Sequence, residues 1–110
     1  MNIYQNRSQE IVRLSLDNTT LIGKYSEGVA VVMVELFSDT RAFSVQLPSL
    51  FTEYQTQFFF KNYGSNAVTL LTSNSEMIDT ALTTTHVISA GAFFSILPDN
   101  IDRWVSLENL

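Results

Sequence analysis

Val12, Leu14 and Leu16 alternate with Arg13, Ser15 and Asp17, a period of two that places three apolar side chains on one face of a half-buried strand. Asn18 and Thr19 supply a turn, and Thr20 to Tyr25 carries Leu21 and Ile22 before Glu27 and Gly28 end the run. Val29 to Phe37 is rich in β-branched residues and apolar at both parities, which predicts a strand covered on both faces. Phe43, Val45 and Leu47 then alternate with Ala42, Ser44 and Gln46 until Pro48, which cannot donate to a ladder. Pro48 to Tyr54, with Ser49 placed to cap it, is the one stretch compatible with a helical turn.

Phe58, Phe59 and Phe60 lie in a run from Gln57 to Asn62, and Asn62, Gly64, Ser65 and Asn66 separate it from Ala67 to Thr72. The pair reads as a hairpin. Further on come the short apolar pair Met77 and Ile78, a Thr-rich strand from Thr84 to Ser89, another from Ala92 to Leu97, a turn at Pro98, Asp99 and Asn100, and a last strand from Trp104 to Leu107. About eight or nine strands at regular spacing predict an all-β fold, a small antiparallel β-sandwich or jelly-roll-like barrel. Residues 1–10, rich in Asn and Gln, read as a polar N-terminal arm, and 11–110 as a single β-sandwich domain.

Phe58 and Phe60 point to one side of their strand and Phe59 to the other. Leu71 opposes Val68 and Leu70 in the same way, and Leu97 opposes Phe94 and Ile96. One sheet face cannot dry all of them, so either a second sheet and loops of the same chain cover the other face or Phe59, Leu71 and Leu97 are interface candidates.

Composition sharpens that expectation. Only 15% of the 110 residues are charged and 45% are hydrophobic. Six Lys plus Arg against eleven Asp plus Glu give a net charge of -5, which repels phosphate backbones and anionic lipids, so neither nucleic acid nor a membrane is an expected partner. No apolar stretch approaches the roughly 20 residues of a membrane-spanning helix, and Met1 to Glu10 lacks the apolar centre of a secretory signal. The absence of Cys removes disulfides, thiol nucleophiles and thiolate zinc sites.

The single His, His86, sits among strand residues with no nucleophile placed beside it by spacing, and reads as a structural side chain. Asp99, Asn100 and Asp102 lack the Gly and distal Glu of a calcium loop and read as a turn whose side chains bond their own backbone. No catalytic set, metal or cofactor is expected. Tyr63 and Trp104 are candidates for stacking on a sugar face, with core packing the favoured reading of Trp104.

From Arg41 onward the chain resembles a small β-sandwich module of bacteriophage virion proteins, found in capsid decoration proteins and tail-fibre segments. The likeness rests on Leu47 and Pro48; Phe58, Phe60, Lys61, Asn62 and Gly64; Val68, Thr69 and Leu70; Ile78 and Asp79; Gly91; and Asp99 with Trp104, in that order over about two thirds of the chain. Thr80 stands where the family has Gly after Ile-Asp, and Ile101 and Arg103 stand where small polar residues are typical.

The resemblance implies a virion protein, assembled in the host cytoplasm, commonly a homotrimer, with turn chemistry at Asn62, Gly64 and Asp79. Gly64 is then available for a positive φ. Read as a free-standing chain from Met1 to Leu110 without a fibre stem, it is expected to be a decoration or cement protein that binds the major capsid protein or other virion subunits. Ile3 and Tyr4 of the arm are further interface candidates. The alternative is a tail-fibre or carbohydrate-binding attachment module.

Overall fold

The computed structural model describes residues 9–15, 20–21, 30–50, 56–80 and 83–107. The chain is all-β and is built from two sheets. Strands β1 (Gln9–Leu14), β3 (Val31–Leu36), β5 (Gln57–Asn62), β9 (Phe93–Pro98), β10 (Arg103–Leu107) and β7 (Met77–Ile78) lie side by side in that order in one sheet. Strands β2 (Thr20–Leu21), β4 (Phe43–Gln46), β6 (Val68–Leu71) and β8 (Thr85–Ile88) form the other.

From β1 to β6 the chain alternates between the two sheets, and each strand stacks in parallel on the one laid down a coil earlier. Gln9 lies opposite Val31 and Val31 opposite Gln57; on the other side Thr20 lies opposite Val45 and Val45 opposite Leu70. This is a solenoid-like winding of three coils, not the antiparallel sandwich or jelly roll that the strand spacing predicts. Antiparallel pairing begins only where the winding ends, with β8 on β6, β9 on β5 and β10 on β9.

The expected hairpin from Gln57 to Thr72 is therefore a step between sheets, with β5 in one and β6 in the other. Its turn residues are spent on crossing the core. Asn62 is fully buried, and its Oδ1 accepts the Ser38 hydroxyl at 2.9 Å and the Gly64 amide at 2.9 Å. Its Nδ2 donates to the carbonyls of Asn66 at 2.8 Å and Ile88 at 3.0 Å. All four hydrogen-bonding places are filled, which an amide needs if it is to sit dry. Gly64 does not have the positive φ that the turn reading gave it. It is required for room, since a Cβ there would overlap the backbone of Ser38. Of the two described glycines it is Gly91, with φ +78°, that takes the left-handed region.

Inward-facing residues of both sheets share one core, among them Val32, Val34, Phe58, Phe60, Ile96 and Trp104 from the larger sheet and Phe43, Val45, Val68, Leu70 and Ile88 from the smaller. Val12 and Leu14 are buried as the alternation predicts, while Leu16 lies outside the described residues. Gln9 and Glu10, assigned to the arm by composition, belong to β1. The rest of the arm and most of the expected helical turn lie outside the described residues; of the described ones, Leu50 takes a helical-turn conformation, with its amide on Glu76 Oε1 at 2.8 Å.

Candidate functional site: the outer face of the larger sheet

With Val12, Val32, Phe58 and Ile96 turned inward, the opposite parity of each strand is presented outward. One row across the sheet reads Ile11, Met33, Phe59, Ser95, Leu107. A neighbouring row brings Val31 beside Gln57, and Leu97 opposite Val105. None of these apolar side chains is fully buried, and Ile11 is 59% exposed. Phe59 packs on Phe93 with ring centroids 5.8 Å apart, and Gln57 Nε2 donates to the Ser95 hydroxyl at 2.9 Å. The third row, Arg13, Glu35, Lys61, Phe93, forms a charged border at one end of the strands, with an Arg13–Glu35 ion pair at 2.8 Å.

The smaller sheet offers a different outside. Ser44, Gln46, Thr69 and Thr85 alternate with buried Phe43, Val45, Val68 and Leu70, leaving Leu71 and Val87 as the outward apolar residues of β4, β6 and β8. The apolar surplus is therefore concentrated on one face. Parallel strands ordinarily occur where both faces of the sheet are covered. Here the parallel part, β1, β3 and β5, has its inner face on the core and an outer face that no described residue covers.

The interface candidates divide accordingly. Phe59 and Leu97 are half-buried on the outer face of the larger sheet, whereas Leu71 is half-buried on the smaller one, opposite Gln46 and Thr85. The fold does not bring Leu71 to the others. Ile3 and Tyr4 lie outside the described residues. Six further residues of the face, Ile11, Met33, Val31, Phe93, Val105 and Leu107, are not found by the parity of single strands. The signal for the first two was present: fixing Val12 and Val34 inward fixes Ile11 and Met33 outward.

Of the stacking candidates, Tyr63 is 55% exposed and lies on Phe37 at 5.5 Å and 16°, with Lys61 Nζ 6.0 Å from its ring centre. Trp104 is a correction: it is fully buried against Phe58, 6.1 Å between centroids, and has no face open to a ligand. Its Nε1 is the one buried side-chain polar atom among the described residues that makes no hydrogen bond.

Three further polar side chains, those of His86, Asp99 and Asp79, have structural roles. His86 is half-buried and stacks on Phe94 at 3.8 Å and 15° across the two sheets. Asp99 Oδ1 accepts the amides of Ile101, Asp102 and Arg103, the self-bonded turn expected there. The Ile101 amide foremost, with those of Arg103 and Asp102, holds the Asp99 carboxyl below its ordinary value against an opposing effect of desolvation. Asp79, at φ 61°, accepts the Ser106 amide at 2.9 Å and so ties the loop after β7 to β10. Among the described residues no group of three or more His, Asp or Glu converges as a metal site would require, and no helix is long and apolar enough to cross a membrane.

The class defined here is an all-β, solenoid-like domain with one apolar outer sheet face. Comparison of the chain with protein-family models, with curated proteins and with solved structures finds no match.

Proposed function

We propose that this chain is a structural subunit of a phage virion, a decoration or cement protein that docks on the assembled shell through the outer face of its larger sheet. The observation that carries the reading is the contrast between the two outer faces, one apolar in two adjacent rows and the other lined by Ser44, Gln46, Thr69 and Thr85. An apolar centre with a charged border, here Arg13, Glu35 and Lys61, is the anatomy of a protein contact surface. A protein that binds only the assembled form shifts the equilibrium toward it, so docking would raise shell stability. The phage assignment itself rests on the sequence resemblance.

The test is co-sedimentation of the purified chain with undecorated capsids, alongside a Phe93→Glu variant. Phe93 is an outward residue of that face, so a charge there can be tolerated by the free chain while opposing burial against a partner. Wild type is expected to sediment with the shells and raise their disruption temperature, and the variant to do neither. Failure of wild type to bind defeats the proposal.

Tyr63 supports a second reading, attachment to carbohydrate, because its ring is exposed and already ordered against Phe37. A glycan array separates the two: binding lost in Tyr63→Ala and kept in Phe93→Glu favours attachment.

A further inference from the structure

Each sheet ends in strands that have no neighbour on one side among the described residues. Three of these edges are short: two residues in β2, two in β7 and four in β8. The fourth, β1, has six residues, no proline, and an unbroken register with β3 along its whole length. A long, regular edge of this kind is a template for another strand.

One contact fixes which way its backbone points. The Phe37 amide donates to the Leu14 carbonyl at 2.9 Å, so Leu14 turns its backbone groups toward β3. Alternation turns Glu10 and Val12 the same way and leaves the amides and carbonyls of Gln9, Ile11 and Arg13 facing out of the sheet. Nor do the side chains there form a cover, since Gln9, Glu10, Ile11 and Arg13 are all exposed. The Arg13 guanidinium, which could keep a strand away, is held by Glu35 of its own sheet at 2.8 Å.

The order of residues along this edge suits a second copy of itself. An incoming antiparallel β1 must set outward-facing backbone against outward-facing backbone. Centring the pair on Glu10 or on Arg13 brings like charges face to face, and centring it on Val12 sets Ile11 against Arg13. Centring it on Ile11 sets Ile11 against Ile11 and Gln9 against Arg13. It also joins the row Ile11, Met33, Phe59 of one copy to the same row of the other as a single apolar belt.

We propose that two copies of this chain pair antiparallel through β1 about a twofold axis at Ile11, fusing their larger sheets into one. The contact is isologous and closes at the dimer. It concerns the edge of the sheet and does not rest on the capsid reading of its outer face. One strand pair buries less than a stable dimer needs, and the two Glu10 side chains meet as diagonal neighbours, so the association is expected to be weak and concentration-dependent.

Two measurements on the whole chain test this. Sedimentation velocity from about 10 µM to about 1 mM compares wild type with Ile11→Pro, which removes an edge amide that β3 does not use. An unfolding midpoint near that of wild type establishes that the variant folds. Because the chain has no Cys, single cysteines then report the register under mild oxidation. In Ile11→Cys the two Cα atoms face each other at about 5.5 Å, within reach of a disulfide. In Arg13→Cys, an equally exposed site, they are offset by more than about 13 Å along the strands.

Wild type is expected to rise from its 12.4 kDa monomer mass toward twice that value, and Ile11→Pro to stay monomeric. Ile11→Cys should yield a covalent dimer and Arg13→Cys almost none. A wild type that stays monomeric or forms a trimer, an Ile11→Pro variant that associates as wild type does, or cross-linking as ready at residue 13 as at residue 11 would each overturn the proposal. So would a monomeric chain whose capsid binding is lost in Ile11→Pro, which would give the edge to the shell instead. Capsid docking through the outer face is judged separately by Phe93→Glu, a residue outside β1.

Discussion

The Ser38 hydroxyl donates to Asn62 Oδ1 at 2.9 Å inside the core, joining the corner after β3 to the corner after β5. Asn62 stands in register with Leu36, and Leu36 with Leu14, so a polar residue occupies a rung where the two coils before it place leucine. Asn62→Leu is expected to continue the apolar ladder yet lose stability, because it takes the side-chain partner from the Gly64 amide and from the Ile88 carbonyl, while the Ser38 hydroxyl and the Asn66 carbonyl keep each other. Each buried unsatisfied group costs about 1–3 kcal/mol, so a loss of at least ~2 kcal/mol should appear as a lower urea midpoint.

The two described glycines should respond in opposite degree. Gly64→Ala drives a Cβ into the Ser38 backbone and is expected to cost several kcal/mol, on the scale of core overpacking, about 1–3 or more, or to prevent folding. Gly91→Ala meets open space and incurs only the left-handed conformational penalty, roughly 1–2 kcal/mol. Thermal unfolding of the two variants checks the order.

The Ser73–Glu76 turn offers a stabilising change. Asn74 and Ser75 both have positive φ, 54° and 58°, and the Glu76 amide donates to the Ser73 carbonyl at 3.0 Å. This is the geometry for which Asn-Gly is favoured. Ser75→Gly is expected to raise stability by about 0.5–1 kcal/mol, read from the denaturation midpoint.

Acid should loosen the β9–β10 turn first. A carboxyl held below its ordinary value contributes stability that is present above that value, 3.8 for Asp99, and lost as pH falls through the lowered one. Amide exchange at Ile101, Asp102 and Arg103 is therefore expected to accelerate below about pH 3.8 in wild type, measured against the β5 amides. In Asp99→Asn it should already be faster at neutral pH and show no such step.

Much of the strand pattern was legible before the fold was known. The β3 strand, Val31–Leu36, falls within the run from Val29 to Phe37, and Phe43, Val45 and Leu47 are buried as their alternation required. Strand direction was not legible. Period-two alternation fixes which face a residue takes but says nothing of whether its neighbour runs parallel. Asn62, Gly64 and Asn66 look the same whether the chain doubles back in one sheet or crosses to another. The available hint was the run of residues apolar at both parities in Val31–Leu36 and at Phe58 to Phe60, which is characteristic of parallel strands.

The candidate site was half legible for the same reason. Phe59 and Leu97 were found by parity, but which outward residues share a face depends on sheet order, and that order separates Leu71 from them. Core packing is the reading the sequence favours for Trp104, and β10, lying between β9 and β7, puts it there.

The central claim is that the outer face of the larger sheet is dried by a partner. Carbene footprinting of the chain, free and bound to capsids, measures this residue by residue. The account predicts reduced labelling of Phe93, Leu97, Val105 and Leu107 on binding, with Ser44, Thr69 and Val87 unchanged. Protection of the smaller sheet instead, or a larger-sheet face labelled equally in the free and bound states, would contradict it.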